Sequence, residues 1–492
     1  MGMAKELNRV TGIVLVLLAV IALSTAFWVV IQSDSLLARD DNARNVIAEQ
    51  RIARGAIYDR DGERLAYSVE MKSGVMRRVY PHPDAAGAVG YYSLTYGTAG
   101  VERAYDPALS GDRYEDEWDT FVDDVLHRPQ RGGDVRTTLD LDVQQAAADA
   151  LAGRSGAVVI IDVPSGRVLA MVSQPGYDPN VLDDQWDALT RDEATSPLLN
   201  RVTAGLYQPG GALDTVILSG ILGASPDLQV DGGYLLNEPL PGARDPVSVN
   251  GLTLTCLDVT PEGALTLAEA YVFGCPAPFA DALALVSEGA LTPERLWERL
   301  GVLGLLDPPA LAGFETLAGP PPEPLSGATP PDQLTAALVG QGTLTVTPLH
   351  MAQIVAAIAN RGNTVPLHMV DATRAPGADA WQPVSVPVLH PALLRTDVAA
   401  ALRLAMLQAA AQSPYVAQAL TGDLVLHGHS ARAFAGPDAT PYVWFTGFVD
   451  RTEGDQPAAI VAVVVVENES DPGVAAQVAG SAFAAAADRA DE

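Results

Sequence analysis

The chain reads as an α/β protein of the α+β type. Two strand-like runs stand close together, AVVIID at residues 157–162 and RVLAMVSQ at 167–174. Far downstream come two more, PYVWFTGFVD at 441–450 and AAIVAVVVVEN at 458–468. Helical and loop material separates the two pairs. Val163-Pro164-Ser165-Gly166 has the composition of a turn, so the first pair reads as a hairpin. The valine-rich run at 458–468 is apolar almost without interruption, the pattern of a strand buried on both faces.

The remaining elements follow from local signals. Residues 344–363, LTVTPLHMAQIVAAIANRGN, have Thr347-Pro348 where a helix starts and Arg361-Gly362 where it ends. The tail at 474–490 reads as a terminal helix, and the proline-rich stretch 307–332 as a loop. Asp61-Gly62 marks a turn between strand-like runs. Asp140 or Asp142 is placed to cap a helix beginning near Val143.

Residues 11–31, TGIVLVLLAVIALSTAFWVVI, carry no charge. About 20 such residues cover a ~30 Å hydrocarbon core. Lys5 and Arg9 precede the run and Asp34 follows it, which puts the N-terminus in the cytoplasm and the bulk outside. Trp28 suits the outer interface. The expected organisation is a cytoplasmic tail (1–10), a single-pass plasma-membrane anchor (11–31), a membrane-proximal domain (32–152) and a larger domain (153–492). A cleaved signal peptide is the competing reading; the run is longer than a signal core and continues through Trp28 to Ile31.

A chain of 492 residues accommodates two or three domains, and 48% hydrophobic residues support a large core. Acidic residues outnumber basic ones 60 to 30, for a net charge of −30, which argues against nucleic acid and anionic surfaces as partners. The lysines are Lys5 and Lys72 alone. No lysine-dependent active site can be assembled from residues beyond 72. Cys256 and Cys275 are either a disulfide, as an extracytoplasmic location permits, or two buried thiols.

Several segments resemble class B penicillin-binding proteins. Residues 54–66 follow the family's RG-x-I-x-DR-x-G-x-x-LA, and GTAGVERAYDPALSG (97–111) and GGDVRTTLDLDVQQAAADAL (132–151) are further echoes. GQGTLTVTPLHMAQIVAAIANRG, beginning at Gly340, closely resembles GQG-x-x-x-VTPLQMA-x-x-x-AAIANGG. LNRVTAGLYQPGGALDT (199–215) is similar to NRA-x-x-G-x-YPPGSTFK. The resemblance covers most of residues 40–490. It implies a pedestal followed by a penicillin-binding transpeptidase-like domain, whose antiparallel sheet is flanked by helices.

The family's catalysis uses three boxes, S-x-x-K, S-x-N and K-T-G. The first places a serine and a lysine one turn apart on one helix face, because serine attacks only when a neighbour takes its proton. Here the serine position is Gly211 and the lysine position Asp214. Asp214 also reads simply as a carboxylate near a helix N-terminus. In the second box, AYVFGCPAPFADAL (270–283), serine falls on Gly274 and asparagine on Pro276, which has no side-chain amide to offer. The third aligns with LHGHSARAFAG (426–436), putting lysine on His429, threonine on Ser430 and the second glycine on Ala431.

His429 and Arg432 are the candidate contacts for an anion at that strand; a polar loop is the plainer alternative. His427, His429 and Asp423 make a poor metal set, and neither metal nor cofactor is expected.

The expectation is a membrane-anchored pseudo-transpeptidase of cell-wall synthesis, a scaffold or regulator without a nucleophile or active-site lysine. Its expected partners are membrane wall-synthesis proteins, a polytopic glycosyltransferase among them, and peptidoglycan fragments. The alternatives are an active D,D-transpeptidase using a displaced serine, Ser219 or Ser430, and a sensor of wall fragments.

Overall fold

The computed structural model describes residues 2–27, 49–114, 130–224, 236–287, 289–386, 392–420, 422, 424–437, 439–453 and 456–488. A five-stranded sheet organises the larger domain. Its order is Val425–Ala433, Tyr442–Glu453, Gln456–Val466, Gly156–Val163, Val168–Gln174, with every neighbouring pair antiparallel. The valine-rich strand is central, which explains its unbroken apolar sequence. Val461, Val463 and Val465 face one core, with the helix Pro348–Ala359. Ile460, Ala462, Val464 and Val466 face the other, with the terminal helix Pro472–Asp488 and the helix Leu141–Leu151. All seven are at most 1% exposed. The resulting layers are helix, sheet, helix.

The caps anticipated from sequence are formed. Asp140 accepts from the Val143 amide at the head of Leu141–Leu151. Thr347 caps Pro348–Ala359 in a reciprocal box with His350. Asp59 Oδ1 accepts from the amides of Asp61 and Glu63 and so closes the turn before Arg64–Glu70.

The N-terminal domain has its own six-stranded sheet, but two of its strands come from far downstream. Val370–Arg374 pairs antiparallel with Asp134–Thr137, and Gln382–Pro383 extends the sheet beyond it. Arg374 clamps Asp134 at 2.5 Å across that junction. Deeper in this domain, fully buried Glu102 accepts from Arg54 at 3.1 Å, from Arg78 at 2.6 Å and from the Tyr80 hydroxyl at 3.2 Å.

At the extreme N-terminus a helix spans Gly2–Ala26, and Ile13, Leu15, Val16 and Leu23 are each more than 60% exposed. Among the described residues no helix is long and apolar enough to cross a membrane. The apolar run read from the sequence extends past this helix, and Trp28 to Ile31 lie outside the described residues.

Candidate functional site

The helix Asp214–Ala224 carries the first box. Its sequence, DTVILSGILGA, is apolar almost all round, so the helix is buried on nearly every side. A 3₁₀ turn, Gly210–Leu213, runs into it, keeping residues 211 and 214 on one face. A Cβ built on Gly211 would stand 3.6 Å from Asp214 Oδ2 and 3.3 Å from Ala431 Cβ. The two first-box positions therefore still face each other, beside the third box, with the nucleophile missing.

The three boxes converge on one cleft of about 90 Å³, lined by Gly211, Asp214, Gly274, Pro276 and the run His429 to Arg432. Every degenerate position singled out from sequence is on its wall. The second box is brought in by Cys275, which is disulfide-bonded to Cys256. This fixes the pairing that the sequence left open. Gly274 has φ +58, and a Cβ there would lie 2.8 Å from Leu257 Cβ. Both the backbone and the space now demand glycine, so a serine cannot be seated at 274 without moving the loop.

The former lysine positions are chemically quiet. His429 is 2% exposed, and its ring stacks on Tyr271 at 4.2 Å. Its Nε2 donates to the Gly211 carbonyl at 3.1 Å, which fixes the proton on that nitrogen. Burial lowers the imidazole to about 4, against a partial rise from that hydrogen bond, so the ring is neutral at pH 7. Asp214 is 3% exposed, and burial alone pushes its carboxyl well above the ordinary carboxylate value. The two face each other at 4.0 Å, too far for a charge-assisted hydrogen bond. Burial works against the charged form of each, and neither is the lysine that the family sets beside its serine nucleophile. Tyr271 shares a hydrogen bond with Thr215 at 2.8 Å.

The anion contacts proposed from sequence separate here. His429 is turned inward. Arg432 donates from one Nη to the Ser470 carbonyl at 2.7 Å, while its Nε is buried without a partner. Ser430 lines the cleft with its Oγ buried and unpartnered. Ser219, the other displaced-serine candidate, donates to the Val216 carbonyl within its own helix and does not line this cleft. His427 is committed to the Arg403 carbonyl at 2.9 Å and Asp450 at 3.0 Å. No group of three or more metal-ligating side chains occurs among the described residues, and Asp423 lies outside them. Tyr271 was not anticipated as part of the site. Its only signal is an aromatic three residues before Gly274, which looks like ordinary core.

Known proteins carry the same frame. The family model for the penicillin binding protein A dimerisation domain matches residues 54–135, and that for the penicillin binding protein transpeptidase domain matches 318–485, starting downstream of the first two boxes. The peptidoglycan D,D-transpeptidase PbpA of Mycolicibacterium smegmatis is 32% identical over 99% of this chain and 98% of its own length. PbpA of Mycobacterium tuberculosis is 30% identical over 95% of each. The imipenem acyl-enzyme complex of M. tuberculosis penicillin-binding protein A superposes with a TM-score of 0.74 at 28% identity, covering 89% of this chain and 99% of that one. The D,D-transpeptidase domain of the Eggerthella lenta peptidoglycan glycosyltransferase gives a TM-score of 0.71 at 25% identity, with the same coverage. This chain belongs to the penicillin-binding protein family, the peptidoglycan D,D-transpeptidases of cell-wall synthesis.

Proposed function

We propose that this protein is a pseudo-transpeptidase: a membrane-anchored, extracytoplasmic member of the family that serves wall synthesis by binding rather than by acyl transfer. The carrying observation is the content of the cleft. Gly211 offers no nucleophile, and the positions that hold lysine in the family hold a buried carboxyl and a buried neutral imidazole. Serine becomes nucleophilic only beside a group that takes its proton, and no lysine exists beyond residue 72 to do so. The exposed apolar side chains from Ile13 to Leu23 support a membrane anchor. An anchored scaffold of this kind is suited to contact membrane wall-synthesis proteins, a polytopic glycosyltransferase being the first candidate.

The test is intact mass of the purified protein after incubation with a fluorescent penicillin. The expected result is an unmodified chain beside an acylated active control. A stoichiometric adduct would overturn the reading.

A sensor of wall fragments is a second reading, favoured by one observation. Ser430 Oγ and Arg432 Nε are buried at the cleft without partners, and a polar ligand would satisfy them. Muropeptide binding that Arg432→Ala abolishes would support it; binding unchanged in that variant would remove it.

A further inference from the structure

We propose that a cavity at the opposite end of the helix Asp214–Ala224 is a binding site for a small, multiply charged oxyanion of the phosphate class, held by Arg295, Arg299 and Arg395. This inference does not depend on the pseudoenzyme reading. The cavity encloses about 330 Å³ and is lined by Ser219, Gly220 and Gly223 of that helix together with the three arginines. A Cβ built on Gly223 meets nothing within 4 Å, so the helix presents open space here rather than packing.

The charge arrangement is the reason for the assignment. The chain carries two acidic residues for every basic one, yet three guanidiniums converge on this cavity. Arg295 and Arg299 lie four residues apart on the helix Pro293–Val302, a spacing at which like charges repel. Arg295 is also in the first turn, the end of the macrodipole that disfavours cations. Its Nη1 donates to the carbonyls of Gly289 and Ala290, each at 2.8 Å.

Arg299 is the least satisfied of the three. It is half-buried, and its Nε is buried without a hydrogen-bond partner. Among the described residues it makes no ion pair. Burial first, and then repulsion from Arg395, pull its guanidinium below the ordinary arginine value. Arg395 is partly held by Asp397 and by the Gly223 carbonyl at 3.3 Å.

An unpaired guanidinium packed beside another weakens a fold, and proteins retain such conflicts where function requires them. The fork of N–H donors on each arginine matches a tetrahedral oxyanion. A phosphate group, with about −1.5 to −2 charge at neutral pH, offsets several guanidiniums at once.

The experiment uses the full-length protein in a non-ionic detergent with inorganic pyrophosphate as probe. Pyrophosphate should raise the melting temperature saturably, while sodium chloride at equal ionic strength should not. Arg299→Gln should weaken binding at least tenfold. In the absence of anion that variant should melt no lower than wild type, because it removes a repelled charge. Vesicles containing phosphatidic acid that displace pyrophosphate would identify a lipid headgroup as the natural source. Failure of those vesicles to compete would identify a soluble phosphate.

Two results overturn the proposal. The first is the absence of a saturable response, or a response equal in wild type and in Arg299→Gln/Arg395→Gln. The second is an Arg299→Gln variant that melts well below wild type without anion, which would make Arg299 a structural residue.

Discussion

Glu102 has no exposed surface and sits between Arg54 at 3.1 Å and Arg78 at 2.6 Å. Asp214 is almost as deep, 3% exposed, and faces only a neutral imidazole at 4.0 Å. Burial is nearly the same and the outcome differs. A carboxylate taken out of water keeps its charge when cations accompany it and takes up a proton when they do not. In the N-terminal domain the charged form is part of the architecture. In the cleft, ionisable groups stand at the family's catalytic positions but are held in the core without an opposite charge, where burial favours their neutral forms. Family membership therefore preserves the place of a residue without preserving its electrical state.

The sharpest way to break this comparison is Glu102→Gln. It leaves two guanidiniums, each with a side chain 5% exposed, facing an amide, and only Arg54 keeps a carboxylate, Asp106 at 2.7 Å. Removing one partner of a buried ion network costs about 3–5 kcal/mol, so urea unfolding should show a loss of that order or no cooperative fold. Asp214→Asn should cost far less, since no cation pairs with this carboxyl and burial already works against its charge. Equal losses in the two variants would refute the contrast.

The next effect is on pH dependence, where the two cleft groups oppose each other. His429 titrates at about 4 in the fold against 6.5 when free. The native state thus binds fewer protons between those values, and stability falls as pH drops from 6.5 towards 4. At about 1.4 kcal/mol per pH unit the total is about 3 kcal/mol. Asp214 is raised instead. The native state then binds more protons above the ordinary carboxylate value, and stability falls as pH rises from there. Asp214→Asn should expose the first slope and His429→Gln the second. Unfolding free energies measured from pH 4 to 7 should therefore trend in opposite directions in the two variants. Parallel trends would mean that the groups form an ion pair.

A smaller effect is expected from Gly211→Ser. The added Cβ lies 3.3 Å from Ala431 Cβ, so the strand must give slightly, at a cost of about 1–3 kcal/mol. The variant should remain unacylated by penicillin, because no lysine stands beside the new hydroxyl to take its proton. Acylation by mass spectrometry would show that the missing serine alone separates this protein from its relatives. Smallest of all is Ser430→Ala. It removes a buried hydroxyl without a partner, so thermal unfolding should change by no more than about 0.5 kcal/mol or rise slightly.

Much of this was legible in the sequence because the signals were local. The continuous apolar run around Val461 to Val466 announced a central strand, and Thr347-Pro348 announced a helix start. The three boxes could be placed because the residues between them keep the family's spacing. Other features depend on contacts between distant segments. Nothing periodic marks Val370–Arg374 as part of the N-terminal sheet, since ladder pairing is set by a partner more than 200 residues away. His429 looked available for an anion because a strand sequence does not reveal that Tyr271 covers the ring. Arg299 lay in an ordinary amphipathic helix, and only the burial of its guanidinium, together with the approach of Arg395 from another segment, makes it unusual.

The strand Val370–Arg374 has a practical consequence. A protease cutting between residues 152 and 155 would sever the chain without separating its halves, because the Asp134–Thr137 ladder and the Arg374–Asp134 clamp would still fasten one to the other. Conversely, a polypeptide begun at residue 153 would carry an orphaned strand with a bare hydrogen-bonding edge. Such an edge pairs readily with other chains, so half of this molecule, made alone, should self-associate where the whole does not.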